Sequence, residues 1–397
     1  MATNTTSSAF VRLSKTTLKW IFGFLLLFLL YVITCIIHGT ITDFSPPETL
    51  PVDQVKVANK QKIDKAELTF WNWNIGYCGL GKESDFFFDD GGFFFSGGKM
   101  VRAPREIVGK NLDYIKKFFQ EQEPADFYLL QEVDKSSKRS YHINQLEAIQ
   151  TVLPQYSNSF AVNYKCARVP LPVCEPWNVM GAMYSGLATY TAYQADSITR
   201  YQFPGKYGWP NRIFHLDRCM AVHRYSTIHP DGKELIVINT HNSAYDGAKL
   251  KAQEMDYLKR FIVHEYKKGN YVVVGGDWNQ APPNYAADTL AKQRGMAVDS
   301  TDLPVSIAED FLPNDWTWAY DNKVATNRKL QHKYDEKKTF VTLIDFYLVS
   351  PNVELVEVRT KDLNFEASDH QPIFLKIRLK ALDTRSNAQA PADSLNI

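Results

Sequence analysis

Strand-like and helix-like hydrophobic patterns alternate along most of the chain. Short apolar runs, or apolar residues alternating with polar ones, are typical of strands. They predict strands at Leu68–Asn74, Phe127–Leu130, Gly186–Tyr193, Arg218–Tyr225, Glu234–Thr240, Tyr271–Val274, Thr342–Val349 and Pro372–Ile377. Apolar residues at helical spacing predict helices at Glu106–Phe119, Tyr141–Leu153 and Ala248–Tyr266. Because several strands follow one another directly, the pattern favours an α/β fold of two packed sheets with outer helices over one doubly wound sheet.

The strongest of these strand patterns leads directly into polar residues. Tyr271–Val274 is β-branched and apolar, as in a strand that is buried on both faces. Two glycines follow, and then Asp277 and Asn279 stand two residues apart, so that in extended geometry both side chains point to the same side. An Asx turn would explain this motif by itself. However, polar groups are costly to bury at the end of such a strand, and they usually serve a site.

Polar residues also stand at five other predicted strand boundaries. They are Asn72 and Asn74, Gln131 and Glu132, Asn239 to Asn242, Asp345, and Asp369 with His370. Any one of these sets could be a strand cap or a group that is satisfied by buried hydrogen bonds. Six sets in one chain, in this order, indicate a functional site rather than separate strand caps.

Residues 20–37 form an uncharged and almost wholly apolar run of eighteen residues. This length is about the minimum that spans a bilayer core as a helix. Arg12, Lys15 and Lys19 precede the run, and by the positive-inside rule they place the N-terminus in the cytoplasm. We therefore predict a single-pass membrane protein with the rest of the chain outside the cytosol. A cleaved signal peptide is the alternative, although its apolar region would be long.

The apolar run divides the chain into five segments. Residues 1–19 would be a cytoplasmic tail, residues 20–37 a transmembrane helix, and residues 38–66, which are rich in proline and lysine, a tether. Residues 67–380 would form the globular domain. Residues 381–397 show no periodicity, and their composition predicts a disordered tail.

Composition and cysteine spacing exclude few classes of function. The 397 residues carry a formal net charge of +1, which does not indicate a strongly basic nucleic-acid binder but is compatible with a local basic patch. No cysteine and histidine spacing suggests zinc. Cys166 and Cys174 flank a proline-containing loop, and an extracytosolic location permits disulfides, so we predict a bridge between them.

The segment Asp85–Gly98 holds six phenylalanines among glycines and aspartates, a composition unsuited to a regular helix or strand pair. It follows the strand that ends in Asn74, so it is expected to lie near the proposed site. One interpretation is an insertion that packs its phenylalanines onto the domain, and the sequence slightly favours it. The other is an apolar lid that contacts substrate or a membrane.

The ordered series of motifs resembles the endonuclease/exonuclease/phosphatase superfamily, which has the fold of deoxyribonuclease I. The matching motifs are N-I-G at Asn74, Q-E at Glu132, N-T-H at His241, G-D-W-N at Asp277 and Asn279, I-D-F at Asp345, and S-D-H at Asp369 and His370. The resemblance spans roughly Glu67 to Leu379. It implies a four-layer α/β sandwich, in which two mixed sheets face each other between layers of helices, with the active site at one edge of the sheets.

The resemblance implies a metal site, and the chemistry of the residues fits one. Asn74, Glu132 and Asp369 would hold Mg²⁺, with Mn²⁺ as the alternative, because such cations prefer oxygen ligands. Arg218 stands where relatives place a cation against a phosphate, although an exposed strand arginine is an equally good explanation.

The resemblance also assigns the catalytic residues. His370 would be the general base or would polarise the phosphate, and Asp345 would hold its ring and tautomer. Asp277 would orient or deprotonate the attacking water. Asn279 and His241 would donate hydrogen bonds to phosphoryl oxygens.

We therefore predict a metal-dependent hydrolase of phosphodiesters outside the cytosol, most simply an endonuclease-type nuclease. A phosphodiesterase acting on phospholipid or sphingolipid head groups and a catalytically inactive binding module are the alternatives. Retention of the expected polar residues argues against the inactive module. The expected partners are a phosphodiester substrate, nucleic acid or lipid, and a membrane through the N-terminal helix. No obligate protein partner is implied.

Overall fold

Two seven-stranded mixed sheets pack face to face between outer helices. The computed structural model describes residues 15–244, 249–296 and 298–380. The arrangement is the four-layer α/β sandwich expected from the sequence, preceded by an apolar N-terminal helix. Most of the predicted cytoplasmic tail and the whole of the predicted disordered tail, residues 381–397, lie outside the described residues.

The described elements have the following bounds. The helices are α1 (Lys15–Ile41), α2 (Arg105–Glu121), α3 (Gln145–Gln150), α4 (Lys249–Lys267) and α5 (Thr289–Gln293). The strands are β1 (Thr49–Pro51), β2 (Gln54–Val55), β3 (Glu67–Asn74), β4 (Phe127–Asp134), β5 (Ser157–Val169), β6 (Gly181–Thr191), β7 (Ser197–Gln202), β8 (Cys219–Ser226), β9 (Glu234–His241), β10 (Tyr271–Asp277), β11 (Thr317–Ala319), β12 (Asn327–Arg328), β13 (Val341–Thr342), β14 (Asp345–Val349), β15 (Val353–Thr360) and β16 (Ile373–Leu379).

Each sheet has a parallel pair at its centre. One sheet has the order β1-β7-β8-β9-β10-β14-β11, with β9 parallel to β10. The other has the order β15-β16-β3-β4-β6-β5-β2, with β3 parallel to β4. Strands β12 and β13 form a separate two-stranded ribbon. Because parallel strands end at the same edge, each sheet brings two strand ends together, and these ends carry the predicted site residues.

Three hydrophobic layers explain why the strands pack in this way. The middle layer lies between the sheets and joins Phe70 and Leu129 of one sheet to Val237 and Val273 of the other. One outer layer packs α2 and α3 against β3 and β4, and the other packs α4 and α5 against the sheet that contains β10. β10 is apolar on both faces because it contributes to both the middle layer and one outer layer.

Several details of the sequence prediction need correction. Residues 38–66 are not a free tether, because β1 pairs with β7 and β2 pairs with β5, one at the edge of each sheet. The predicted helix Tyr141–Leu153 is helical only over α3. The short strands β1, β2, β11 and β12 were not predicted. The longer strands β5, β7 and β15 were also missed, because their apolar residues are interrupted by asparagine, serine and charged residues.

The predicted disulfide is wrong, since Cys166 and Cys174 are both free. Cys166 belongs to β5 rather than to a loop, and its buried thiol donates to the carbonyl oxygen of Ile213 at 3.4 Å. Cys174 lies in the following loop, where its backbone N–H donates to the carbonyl oxygen of Phe94 at 3.0 Å.

The phenylalanine-rich segment divides into two halves with different environments. Phe87 is fully buried, and Phe86 and Phe88 are partly buried against the same cluster. Phe93, Phe94 and Phe95 are exposed. The packing interpretation therefore holds for the first three phenylalanines and is wrong for the last three.

The N-terminal helix α1 is long and apolar enough over Thr17–Ile41 to cross a membrane, and a signal sequence would meet the same criterion. Most of its large apolar side chains are exposed. Its C-terminal part touches the domain, where a side chain at Gly39 would lie 3.0 Å from Ile213.

The two glycines before Asp277 are required by close packing. A methyl group on Gly276 would clash with the backbone carbonyl of Thr240 in β9, which cannot move without breaking the β9–β10 pairing. We expect Gly276→Ala to destabilise the domain by about 3 kcal/mol or more, measured as a clear fall in melting temperature. Gly109→Ala is the matched control. Gly109 lies within α2 with open space around it, so alanine there should preserve or slightly raise stability. Equal melting temperatures for the two variants would contradict this account.

Candidate active site

A cleft of about 510 Å³ opens where the carboxyl ends of the central strands of both sheets meet. Its lining includes Glu132 from β4, His241 from β9 and Asp277 from β10. Asn279, Asp369, His370 and Arg218 also line it. The structure therefore brings most of the sequence-predicted site residues to one place.

Asn74 connects the strand ends of the two sheets beneath the cleft. Its Nδ2 lies 3.0 Å from Asp277 Oδ2 and 3.5 Å from Glu132 Oε1. Its Oδ1 accepts a hydrogen bond from the backbone N–H of Gly76 at 3.0 Å. Asn74 is thus in contact with Glu132, its proposed partner in the metal site, and with the proposed water-orienting Asp277.

Asp345 and His370 form a buried pair. Nδ1 of His370 lies 2.8 Å from Asp345 Oδ2, and Nε2 lies 3.7 Å from Asp277 Oδ2. Burial by itself lowers the pKa of His370, but the facing carboxylates of Asp345, Asp277 and Asp369 raise it well above its ordinary value. The ring is therefore oriented by Asp345, with Nε2 on the side of Asp277.

The surroundings of His241 shift its pKa in the opposite direction from that of His370. Burial lowers its pKa well below the ordinary value, and the cations Arg218, His370 and Arg139 add to this effect. Its Nε2 lies 3.4 Å from Asp277 Oδ2. Within the described part of the chain, its Nδ1 has no hydrogen-bond partner. His241 therefore favours the neutral form of its ring, whereas His370 favours the charged form, and such divergence is typical of acid–base sites.

Glu132 and Asp369 supply carboxylates on the side where a cation is expected. A bulge in β4, at which Glu132 has a φ of 53°, interrupts the register between Leu130 and Val133. Burial raises the pKa of Asp369 to about 7, and the negative charge of Glu132 contributes to the rise. A buried carboxylate, Asp369, and a partly exposed one, Glu132, that repel each other fit a hard divalent cation together with an asparagine. Asp277, Asp345 and His370 also place one ligand atom each within 4.8 Å of one another.

Asn279 and Arg218 lie on the cleft wall. Asn279 has a φ of 50°, its backbone N–H donates to Asp277 Oδ1 at 2.9 Å, and its Nδ2 donates to the carbonyl oxygen of Asn242 at 2.9 Å. Arg218 has a buried Nη1 that has no hydrogen-bond partner among the described residues. An unsatisfied guanidinium nitrogen at a cleft is suited to an anionic ligand.

Two residues that the sequence did not indicate contact the predicted ones. Arg139 stacks on the ring of Tyr77 at 3.7 Å, donates to Asp134 Oδ1 at 3.0 Å, and has Nη1 4.0 Å from Glu132 Oε2. Asn327 places Nδ2 3.0 Å from His370 Nε2. Neither residue stands at a predicted strand end, so the pattern of polar strand ends could not identify it.

Three polar residues from the predicted strand ends join the sheets instead of lining the cleft. Gln131 Nε2 donates to Asn72 Oδ1 at 2.9 Å and to Asn239 Oδ1 at 2.7 Å, linking β3, β4 and β9. All three side chains are buried. This network fixes the relative position of the sheets directly below the site residues.

One protein-family model supports the fold, and several solved structures are similar to the chain. The Endonuclease/Exonuclease/phosphatase family matches residues 72–370. An endonuclease/exonuclease/phosphatase from Beutenbergia cavernae is 14% identical, with a TM-score of 0.51 over 79% of this chain and 72% of that chain. ANGEL2, described as a 2',3'-cyclic phosphatase, is 14% identical, with a TM-score of 0.47 over 83% of this chain and 99% of that chain. D. rerio TDP2, solved with a single-strand DNA product, is 12% identical, with a TM-score of 0.44 over 79% of this chain and 99% of that chain. No curated protein sequence matches the chain.

Proposed function

Because the chain belongs to the endonuclease/exonuclease/phosphatase family, whose match covers most of the folded domain, we propose that it hydrolyses phosphodiesters with a divalent cation. Asn74, Glu132 and Asp369 would hold the cation, Mg²⁺ or Mn²⁺. The observation that carries the proposal is the position of Asn74 between the two sheets. Its Nδ2 lies 3.5 Å from Glu132 Oε1 in its own sheet and 3.0 Å from Asp277 Oδ2 in the other sheet. When bound, the cation would polarise a phosphoryl oxygen.

The remaining site residues have complementary roles in this proposal. Asp277 would orient the attacking water and accept its proton. His370, held through Nδ1 by Asp345, would present Nε2 to the phosphoryl group. His241 would donate to a second phosphoryl oxygen as a neutral imidazole, and Asn279 would offer its amide to the same group. Preorganised donors of this kind stabilise the charge that develops in the transition state.

A substrate panel tests this function on the full-length chain in detergent. The panel contains a chromogenic diester, plasmid DNA, RNA, sphingomyelin and phosphoinositides. We expect hydrolysis of the chromogenic diester and of one natural class in Mg²⁺ or Mn²⁺, and its loss in EDTA. His370→Ala provides the background rate. Failure of the folded wild type to cleave any of these substrates with either cation would contradict the proposal and favour the inactive binding module.

The cleft favours a lipid as the substrate, although the sequence-based prediction of a nuclease remains a prediction. Phe86, Phe88, Leu171, Phe214 and Leu216 line the cleft and extend from one apolar cluster. An apolar wall next to a phosphate-binding site suits a phosphodiester that carries hydrocarbon. Preferential cleavage of DNA or RNA in the panel would reverse this preference.

Arg218 is proposed to bind the substrate phosphate. We expect Arg218→Ala to lower kcat/KM by roughly 10²-fold, because a charged donor at the phosphoryl group is lost, and Arg218→Lys to recover part of it. Arg212 is the matched control. It lines the same cleft but is paired with Asp43 at 3.4 Å, so Arg212→Ala should leave hydrolysis of the chromogenic diester nearly unchanged. Equal effects of the two alanine variants would show that Arg218 has no specific role.

We also propose that α1 crosses the membrane and that the catalytic domain is extracytoplasmic. The cationic residues before the apolar run support this orientation. Because β1 pairs with β7, we also propose that the domain begins near Thr49 rather than at residue 67. Protection of the domain from protease added to inside-out vesicles, with digestion in right-side-out vesicles, would support the orientation. The reverse result would overturn it.

A further inference from the structure

Five large aromatic side chains project into solvent near the cleft. They are Phe93, Phe94, Phe95, Trp177 and Trp209, which are 46% to 76% exposed. We refer to these five residues as the aromatic rim. Exposed apolar surface of this kind is unfavourable in water and marks a binding surface when it is clustered.

Hydrogen bonds connect the phenylalanine part of the rim to the loop that carries Trp177. The backbone N–H groups of Val173 and Cys174 donate to the carbonyl oxygens of Phe93 and Phe94, each at 3.0 Å. Glu175 Oε1 accepts from the backbone N–H of Ser96 at 2.7 Å. Backbone pairing thus fixes the two loops together while the phenyl rings remain exposed.

The same surface is attached to α1 at two points. Near the end of the helix, Trp209 Nε1 donates to Thr40 Oγ1 at 3.1 Å. Further toward the N-terminus, Tyr31 lies beside Arg168, and Arg168 donates to the carbonyl oxygen of Pro176, the residue before Trp177, at 3.2 Å. The rim therefore runs along α1 from Thr40 toward Tyr31, a distance of about 14 Å along the helix axis.

The length of α1 fixes how this surface would lie relative to a bilayer. Residues 15–30, which precede the contact with the domain, extend over about 24 Å. The hydrocarbon core is about 30 Å thick, so residues 15–30 alone are too short to cross it. A spanning α1 must place part of Tyr31–Thr40 at membrane depth. The domain surface beside Tyr31 then has to meet the membrane.

We propose that the aromatic rim inserts into the interface of the bilayer that α1 crosses, so that the cleft opens onto the membrane surface. Tryptophan is favoured at this level because its ring has an apolar body and a polar N–H. The loops that carry the rim also contribute to the cleft, through Leu171 on one side and Phe214 on the other. The cleft wall therefore continues from the rim toward the catalytic side chains. This placement of the domain does not depend on the proposed hydrolysis.

Photolabelling of the full-length chain tests the proposal. The protein is reconstituted in phosphatidylcholine vesicles that contain a lipid with a diazirine on its acyl chain, irradiated, digested and mapped by mass spectrometry. We expect lipid adducts in α1 and in peptides that contain Phe93–Phe95, Trp177 and Trp209. Ile228 and Val356 are internal controls, because they are exposed apolar residues outside the rim and should carry no adducts.

The outcomes separate this proposal from the proposed function. Adducts in α1 without adducts in the rim would overturn it, as would equal labelling of Ile228 and Val356 or no labelling of α1. The His370→Ala variant should be labelled like the wild type. If the rim is labelled and no phosphodiester is cleaved, only the proposed function fails.

A triple variant distinguishes insertion from packing. Replacing Phe93, Phe94 and Phe95 by serine should leave the melting temperature unchanged, because the rings are exposed. The same variant should lose adducts at Trp177, since the adjacent loop no longer enters the bilayer. A large fall in melting temperature together with unchanged labelling of Trp177 would show that the three rings pack on the domain instead.

Discussion

Glu132→Gln is expected to lower the rate of diester hydrolysis by roughly 10³-fold, because a metal ion supplies several kcal/mol of transition-state stabilisation. The substitution preserves the shape of the side chain and removes the negative charge that faces Asn74 and the proposed cation. Removal of the divalent cation from the wild type by EDTA should produce a loss of at least the same size. The measurement is kcat/KM on the chromogenic diester as a function of Mg²⁺ and Mn²⁺ concentration.

The control for this substitution is Glu147→Gln in α3. Glu147 is exposed and its side chain lies outside the cleft, so the same change of charge should leave the rate unaltered. Partial recovery of Glu132→Gln at high cation concentration would support a ligand role, since a weakened site can still be filled. Full activity of the variant, or of the wild type in EDTA, would contradict the metal assignment.

The position of the site was predictable because it follows from strand geometry. The family match and the two seven-stranded sheets confirm the predicted fold. Asn74, Glu132, His241 and Asp277 are at or near the ends of central strands. Strands identified by their apolar residues therefore also located the polar ones. The functional roles of these residues remain predictions.

Polar residues at strand ends do not all have the same purpose, and the sequence could not separate them. Asn72, Gln131 and Asn239 resemble their neighbours Asn74, Glu132 and His241 in type and position. Asn72 and Asn74, like Asn239 and His241, are two residues apart, so both side chains of each pair point to the same side and differ only in position along the strand. Gln131 and Glu132 are adjacent, and the bulge in β4 separates their environments. One set forms the buried network between the sheets, and the other reaches the cleft region. The register of the two sheets decides which of these polar side chains join the buried network and which reach the cleft.

Residues on short irregular segments could not be found by pattern at all. Arg139 stands in a single turn at Lys138–Ser140, and Asn327 stands in the two-residue strand β12. Periodicity needs several residues to be detectable. Their contacts with Glu132 and His370 arise from tertiary packing. Tertiary packing also decides the phenylalanine-rich segment. Its first three rings pack in or against a hydrophobic cluster, and its last three rings are exposed.

Asp345 and His370 are expected to act as one unit. We predict that Asp345→Ala and His370→Ala each lower kcat by about 10³-fold, because general acid–base groups contribute roughly 10² to 10⁴. The Asp345 carboxylate lies 2.8 Å from Nδ1 of His370, so its effect should pass through the ring. The double variant should therefore lose little more than either single variant, as is found for residues that work together.

Stability has to be controlled in this experiment. Removing His370 leaves Asp345 buried without its partner, and loss of one member of a buried pair costs about 3–5 kcal/mol. Rates are therefore compared at a temperature where thermal unfolding shows that all three variants are folded. If the losses in kcat multiply, so that the double variant falls to roughly the product of the single effects, Asp345 and His370 contribute independently. Asp345 would then act on the site by a route other than the orientation of the His370 ring.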